Sequence, residues 1–345
     1  MMRSLIYILT PILFFASCNP NQEKFNSQIV TVTGPISESQ MGLTLEHEHV
    51  LVDFIGAEKV KQPQYPIEQA LDSLLPYFIR LKESGVQSLI ECTPQYIGRD
   101  VLLLKAISEK SGLYILTNTG YYAAADKKYL PAHTYCETAD QLAERWISEW
   151  KNGIDGTGIK PGFIKLGVGG NRLDTIEQKI VTAGAITHLA TGLKIAIHTG
   201  GALPANDEID ILKTEGVDPS ALIVVHSQNM PSKEQIKILK RGAWVSLDGV
   251  NNHEGSIEKY TNFLKAIKNE NLLYKTLISQ DAYWSVIQKE NNEIGFEKHG
   301  SQYSAILVDL ATNLKANGFS QVEIDLLLIN NPAEAYTIEV CKLDQ

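Results

Sequence analysis

Eight short apolar runs, each followed by a longer stretch with helical spacing, set the strongest limit on how this chain can fold. The runs are 43–47 (LTLEH), 86–92 (VQSLIEC), 113–119 (LYILTNT), 162–167 (GFIKLG), 194–199 (KIAIHT), 221–226 (ALIVVH), 243–248 (AWVSLD) and 275–280 (KTLISQ). Their length and β-branched content are those of strands. Between them, apolar positions recur on one helical face. In 66–83, Ile67, Ala70, Leu71, Leu74 and Leu75 share a side, and 100–111 and 138–151 follow the same rule. Gly112 and Gly192 fall just before the next strand, where a helix C-cap favours glycine. Strands and helices alternating in this way over about 300 residues predict a closed (β/α)8 TIM barrel. An open doubly wound sheet is the rival. It would carry a glycine-rich fingerprint after its first strand, whereas GVGG at 167–170 lies after the fourth and lacks the spacing. One barrel over 32–345 is favoured.

Charge narrows the partners. The chain has 345 residues with 31 basic and 40 acidic side chains, a formal net charge of -9. Without a basic excess to neutralise phosphates, nucleic acid is not an expected partner. Cys18, Cys92, Cys136 and Cys341 are scattered and form no CxxC pair, which argues against a disulfide scaffold or a zinc finger.

The first twenty residues differ from the rest. Arg3 precedes an apolar run from Leu5 to Phe15, then Ala16, Ser17 and Cys18. Basic, apolar, then small is the order of an export signal, and the run is short for a permanent span. An N-terminal anchor or buried helix is the alternative. The ending Phe15-Ala16-Ser17-Cys18 resembles a bacterial lipoprotein signal. The resemblance implies that the signal segment 1–18 is cut before Cys18, which is lipidated and becomes the mature N-terminus. It further implies a flexible tether over 19–31 and a protein lipid-anchored in the cell envelope, at the outer membrane.

Polar residues close the apolar runs. His47 and His49 stand one residue apart on an extended segment and so point the same way. His198 ends IAIH, His226 ends LIVVH, Asp281 follows TLISQ, and Lys165 lies in FIKLG. In a barrel these C-terminal ends meet on one rim. Four histidines and an aspartate converging there indicate metal binding. Lys165 on a buried strand is costly if charged. It either pairs with Glu48 or Asp281, or its neutral amine adds carbon dioxide to give a carbamate that bridges two cations.

The segments GLTLEHEHV, GFIKLG, IAIHTG, VVHS and ISQDA, with 97–122 and NPAEAY at 331–336, resemble the phosphotriesterase-like group of the amidohydrolase superfamily. The resemblance spans about residues 32 to 340. It implies a (β/α)8 barrel with two divalent metal ions, usually zinc. His47, His49 and Asp281 would hold the more buried ion, His198 and His226 the more exposed one, with carbamylated Lys165 and a hydroxide between them. Such a donor set suits zinc without excluding manganese, cobalt or iron. The hydroxide would attack a carbonyl or phosphoryl centre, and Asp281 would accept its proton.

The resemblance implies a small-molecule substrate and allows a homodimer. Among ester, lactone, phosphotriester and N-acyl amide, an ester or lactone of a small polar molecule is favoured. Tyr122 stands where lactonases of the group have a substrate-facing tyrosine, whereas Gly249 stands about where they carry an arginine. Asn252 and His253, after Asn251, either bind a polar substrate or form an exposed turn. Arg99 either binds substrate or pairs with Asp100 or a helix end. Two rivals stay open: a surface binding module with a structural metal, and a mononuclear enzyme lacking the bridging carbamate.

Overall fold

A computed structural model describes residues 28–60, 65–289, 293–300 and 305–343. The expected export signal and Cys18 lie outside these residues. The chain opens with a small antiparallel pair, β1 (Ile29–Thr31) and β2 (Gly34–Ile36). Ile29 is fully buried, and Val32 donates its N–H to Ile115. The last residues of the expected 19–31 tether therefore belong to the folded body.

The barrel strands follow in order: β3 (Thr44–Val52), β4 (Ser88–Glu91), β5 (Tyr114–Leu116) with its continuation β6 (Asn118–Thr119), β7 (Phe163–Gly167), β8 (Ile195–His198), β9 (Leu222–Val225), β10 (Trp244–Leu247) and β11 (Thr276–Ile278). All eight expected runs are present, the third interrupted at Thr117. Neighbouring strands pair in parallel from β3 to β5 and from β6 to β11. The last strand returns to the first through Asp281 N–H to His47 C=O and His49 N–H to Ala282 C=O. The fold is a (β/α)8 TIM barrel. Strands covered on both faces carry unbroken apolar sequence, which is why LIVV of β9 and IAI of β8 are fully buried.

Helices cover the strands where the spacing placed them. Ile67–Glu83, Val101–Ser111 and Ala139–Asn152 match the three expected segments. Asp100 caps the second through Leu102 and Leu103 N–H, and Thr138 with Gln141 forms a capping box on the third. Gly112 and Gly192 end their helices at φ 76° and 77°. After β11 the chain adds an antiparallel hairpin, β12 (Tyr283–Gln288) and β13 (Ile294–His299), and β12 pairs with the outer part of β3. This hairpin brings Tyr283 over the mouth of the barrel.

Candidate metal centre

His47, His49, Lys165, His198, His226 and Asp281 come from five strands and line one cavity of about 230 Å³ at the C-terminal rim. A larger groove of about 570 Å³ lies beside Tyr96 and Arg145, but it has carboxylates without histidines. The convergent chemistry is in the smaller one.

His47 Nε2 and His49 Nε2 approach Asp281 Oδ1 at 3.6 and 3.2 Å. Ligand atoms of His47, His226 and Asp281 all lie within 4.8 Å of one another. Donors about 2.0–2.2 Å from a shared tetrahedral zinc would stand roughly 3.3–3.6 Å apart, so the spacing fits a cation. The ring centroids of His198 and His226 are 4.3 Å apart. Burial holds His47 and His198 well below the ordinary histidine range, so both present neutral imidazoles. His47 Nδ1 is buried with no hydrogen-bond partner. These features fit a resident metal. Lys165 is buried at the centre of the group and forms no ion pair with Glu48 or Asp281 among the described residues. The pairing considered from sequence is therefore not the arrangement found.

Two of these residues sit in strained backbone. His226 has φ 60° and Asp281 φ 53°, the left-handed region in which His and Asp are enriched among non-glycine residues. Each stands just past a strand end.

Behind the histidines lies a polar layer that sequence reasoning passed over. Asp248, fully buried at the end of β10, accepts His226 Nδ1–H at 2.6 Å and His226 N–H at 2.8 Å. That fixes the tautomer and turns Nε2 toward the cavity. Burial opposes both charges. Even so, Asp248 raises His226, and His226 with His47 hold Asp248 well below the usual carboxylate range. Ser246 Oγ lies between Asp248 and Glu46. One hydroxyl hydrogen serves only one carboxylate. Glu46, pushed up to about 8 by burial and by Asp248, is protonated at neutral pH and supplies the other. His49 Nδ1 meets Thr93 Oγ1 at 2.9 Å, and Thr93 donates to Glu91.

Glu48 brackets Asp281. Its carboxyl accepts Gln280 N–H at 3.1 Å, Ala282 N–H at 2.9 Å and the Ser279 hydroxyl at 2.7 Å. Burial drives it up to about 8 against those donors. The signal for Asp248 was available in sequence: it is the polar terminus of SLD, as His198 is of IAIH.

Tyr122 lines the cavity 4.9 Å from the His198 ring, centroid to centroid. It rests on Gly167, where a Cβ would stand 2.3 Å from the tyrosine ring. Burial pushes its phenol up, so the hydroxyl stays neutral. The remaining walls are aromatic or apolar: Val52, Phe54, Ile97, Tyr129 and Tyr283.

Three expected substrate contacts lie elsewhere. Arg99 is buried, pairs in bidentate fashion with Glu149 at 2.7 and 3.0 Å, and donates to Asn118 C=O at 2.6 Å. It therefore ties a helix to β6, and Asp100 is occupied as an N-cap. Asn252 is exposed and donates to Asp309, and His253 N–H is taken by Asn251 Oδ1 in a local turn. Neither lines the cavity. At Gly249 a Cβ would stand 2.5 Å from the Tyr260 hydroxyl and 2.9 Å from Gln228 Nε2, so a larger side chain needs those two side-chain ends to move aside.

Residues 27–336 match the Phosphotriesterase family. The chain belongs to that family. Its relatives within the family differ in named activity. It is 29% identical over 302 residues to the phosphotriesterase homology protein of Escherichia coli strain K12, covering 86% of this chain and 98% of that one. It is 26% identical over 313 residues to the aryldialkylphosphatase of Saccharolobus solfataricus, covering 88% and 97%. It is also 26% identical over 356 residues to the N-acetyltaurine hydrolase of Xenopus tropicalis, covering 91% and 99%.

Proposed function

We propose that this phosphotriesterase-family chain is a metal-dependent hydrolase that cleaves an ester or lactone of a compact substrate. The observation that carries the reading is one small cavity, about 230 Å³, lined by four histidines, Asp281 and Lys165 together with aromatic side chains. His47, His49 and Asp281 would hold one divalent ion and His198 and His226 a second, with Lys165, as a carbamate, completing the donor set. Bound there, two zinc ions supply Lewis acidity and a nucleophile at neutral pH. The chain's own residues do the rest. Tyr122, a neutral phenol, donates to a substrate oxygen. Asp281 takes up a proton beside His47 and His49. Phe54, Tyr129 and Tyr283 exclude water and receive the apolar part of the substrate. The aromatic walls also replace the polar loop at 251–253 as the surface facing substrate.

Amide cleavage is the second reading. The N-acetyltaurine hydrolase of Xenopus tropicalis aligns over 91% of the chain, and a compact acetyl amide is of suitable size. A panel of lactones, carboxyl esters, N-acetyl amino acids and aryl phosphotriesters, assayed with and without chelator, separates these readings. Chelator-sensitive turnover of lactones or esters is expected. Turnover of amides alone would overturn the ester reading and leave the metal chemistry intact, and chelator-resistant turnover would remove both. We also propose export with lipidation at Cys18, from the order of residues 1–18. Intact mass of protein from its native host should show an acylated Cys18, whereas a retained Met1 refutes this.

A further inference from the structure

The end of the barrel opposite the metal ligands is closed by the C-terminal segment. Ile338 N–H donates to Gln28 C=O, Glu339 N–H to Gly192 C=O, Asp218 N–H to Cys341 C=O and Leu343 N–H to Gly216 C=O. Cys341 N–H donates to His188 Nε2 at 2.9 Å, while His188 Nδ1–H donates to Leu193 C=O at 2.9 Å. These bonds fix Cys341 against the start of β8. Lys194, the residue before that strand, is 6% exposed. Its Nζ donates to Cys341 Sγ at 2.9 Å. No carboxylate pairs with this amine among the described residues, so a thiol is the partner of a buried lysine. Cys341 itself is partly exposed and open to small oxidants.

We propose that Lys194 and Cys341 form a covalent modification site at which a peroxide closes a nitrogen–sulfur bond between the C-terminal segment and the barrel. Two steps balance. The thiol is oxidised by one hydrogen peroxide to a sulfenic acid, and one water leaves. Lys194 Nζ then attacks Sγ, the S–O bond breaks, and a second water and one proton depart as the S–N bond forms. Condensation of a sulfenic acid with a nearby nitrogen is established thiol chemistry. Here the nitrogen is held at 2.9 Å by the fold, so the second step needs no rearrangement of the backbone. The link joins residues 147 apart in sequence and so restricts a long loop of the unfolded chain. It lies at the far end of β8 from His198, so it stabilises the barrel without touching the metal ligands.

The test is peroxide treatment of the metal-loaded full chain, followed by peptide mapping and thermal unfolding. The expected product is a pair of peptides joined through Lys194 and Cys341, about 2 Da lighter than their sum. The melting temperature should rise by several degrees and return on adding a thiol reductant. Cys341→Ser and Lys194→Arg should each abolish the joined peptide and the rise, with basal hydrolysis retained. Recovery of Cys341 as an unlinked sulfinic acid, or its capture by another cysteine, would overturn the proposal. So would the same product in Lys194→Arg, and Cys341→Ser covers the case in which the lysine variant fails to fold.

Discussion

Replacing Asp248 by asparagine removes one negative charge from a fully buried position while keeping the side-chain shape. Asp248 accepts from His226 N and Nδ1, from Ser246 Oγ and from Gln228 Nε2, all at 2.6–2.8 Å. An asparagine carbonyl serves only part of that set, and its amide N–H faces the remaining donors. The charge-assisted bond to Nδ1 is worth about 1.5–3 kcal/mol. Losing it also frees the His226 tautomer. Support of this kind behind a metal-bound histidine typically changes metal affinity by about 10–100-fold, or about 1.4–2.7 kcal/mol. The two routes agree, so the variant should lose zinc affinity by about that factor. Competition against a chromophoric chelator measures it, with a thermal melt of the metal-free variant confirming the fold. Affinity within about twofold of the parent, in a folded variant, would refute the role assigned to Asp248.

Gly167→Ala should displace Tyr122, because the added Cβ falls 2.3 Å from its ring. We expect a raised KM with metal content unchanged, read by kinetics beside elemental analysis. Arg99→Met should cost about 3 kcal/mol, since it strands the largely buried Glu149 and Asn118 C=O, with kcat/KM of the folded fraction retained. Denaturant unfolding beside an activity assay checks both halves. His188 is held down to about 4 by burial from its ordinary 6.5. The folded state therefore binds fewer protons than the unfolded one between those values. Its stabilising contribution is complete above pH 6.5 and falls by about 3 kcal/mol as pH drops to 4. In metal-free protein, His188→Gln should show a flatter loss of stability over that window, and an equal slope would refute the assignment.

The strands were legible because a parallel barrel strand is covered on both faces, so its sequence is a short apolar run. The rim was legible because several apolar runs close on a titratable residue that stays buried, and such a residue needs a partner or a ligand. The same rule applies to Asp248, which the sequence reading passed over and which lies behind His226 as its hydrogen-bond partner. The residues that escaped depend on loops. Asn251 turns His253 away by bonding its backbone N–H, and Arg99 finds Glu149 across 50 residues of sequence. The β12–β13 hairpin escaped for a different reason: its strands are half exposed and mixed in polarity, so no apolar run marks them. The pair formed by β1 and β2 escaped because the polar stretch at 19–28 reads as a tether that runs on through residue 31, although IVTVTGPI at 29–36 is itself β-branched.

Glu48 joins two parts of the chain that are made far apart in time. Its carboxyl holds Ala282 N–H across 234 residues, and Asp281 stands between the two backbone groups it grips. The first two histidines leave the ribosome early, yet the carboxylate they face comes only after the last barrel strand. A nascent or unfolded chain therefore presents His47 and His49 alone, a weak and unselective pair of ligands. The selective site appears only when the ring closes. Under the proposed export of an unfolded chain, the ion would be chosen from the pool on the side where folding finishes.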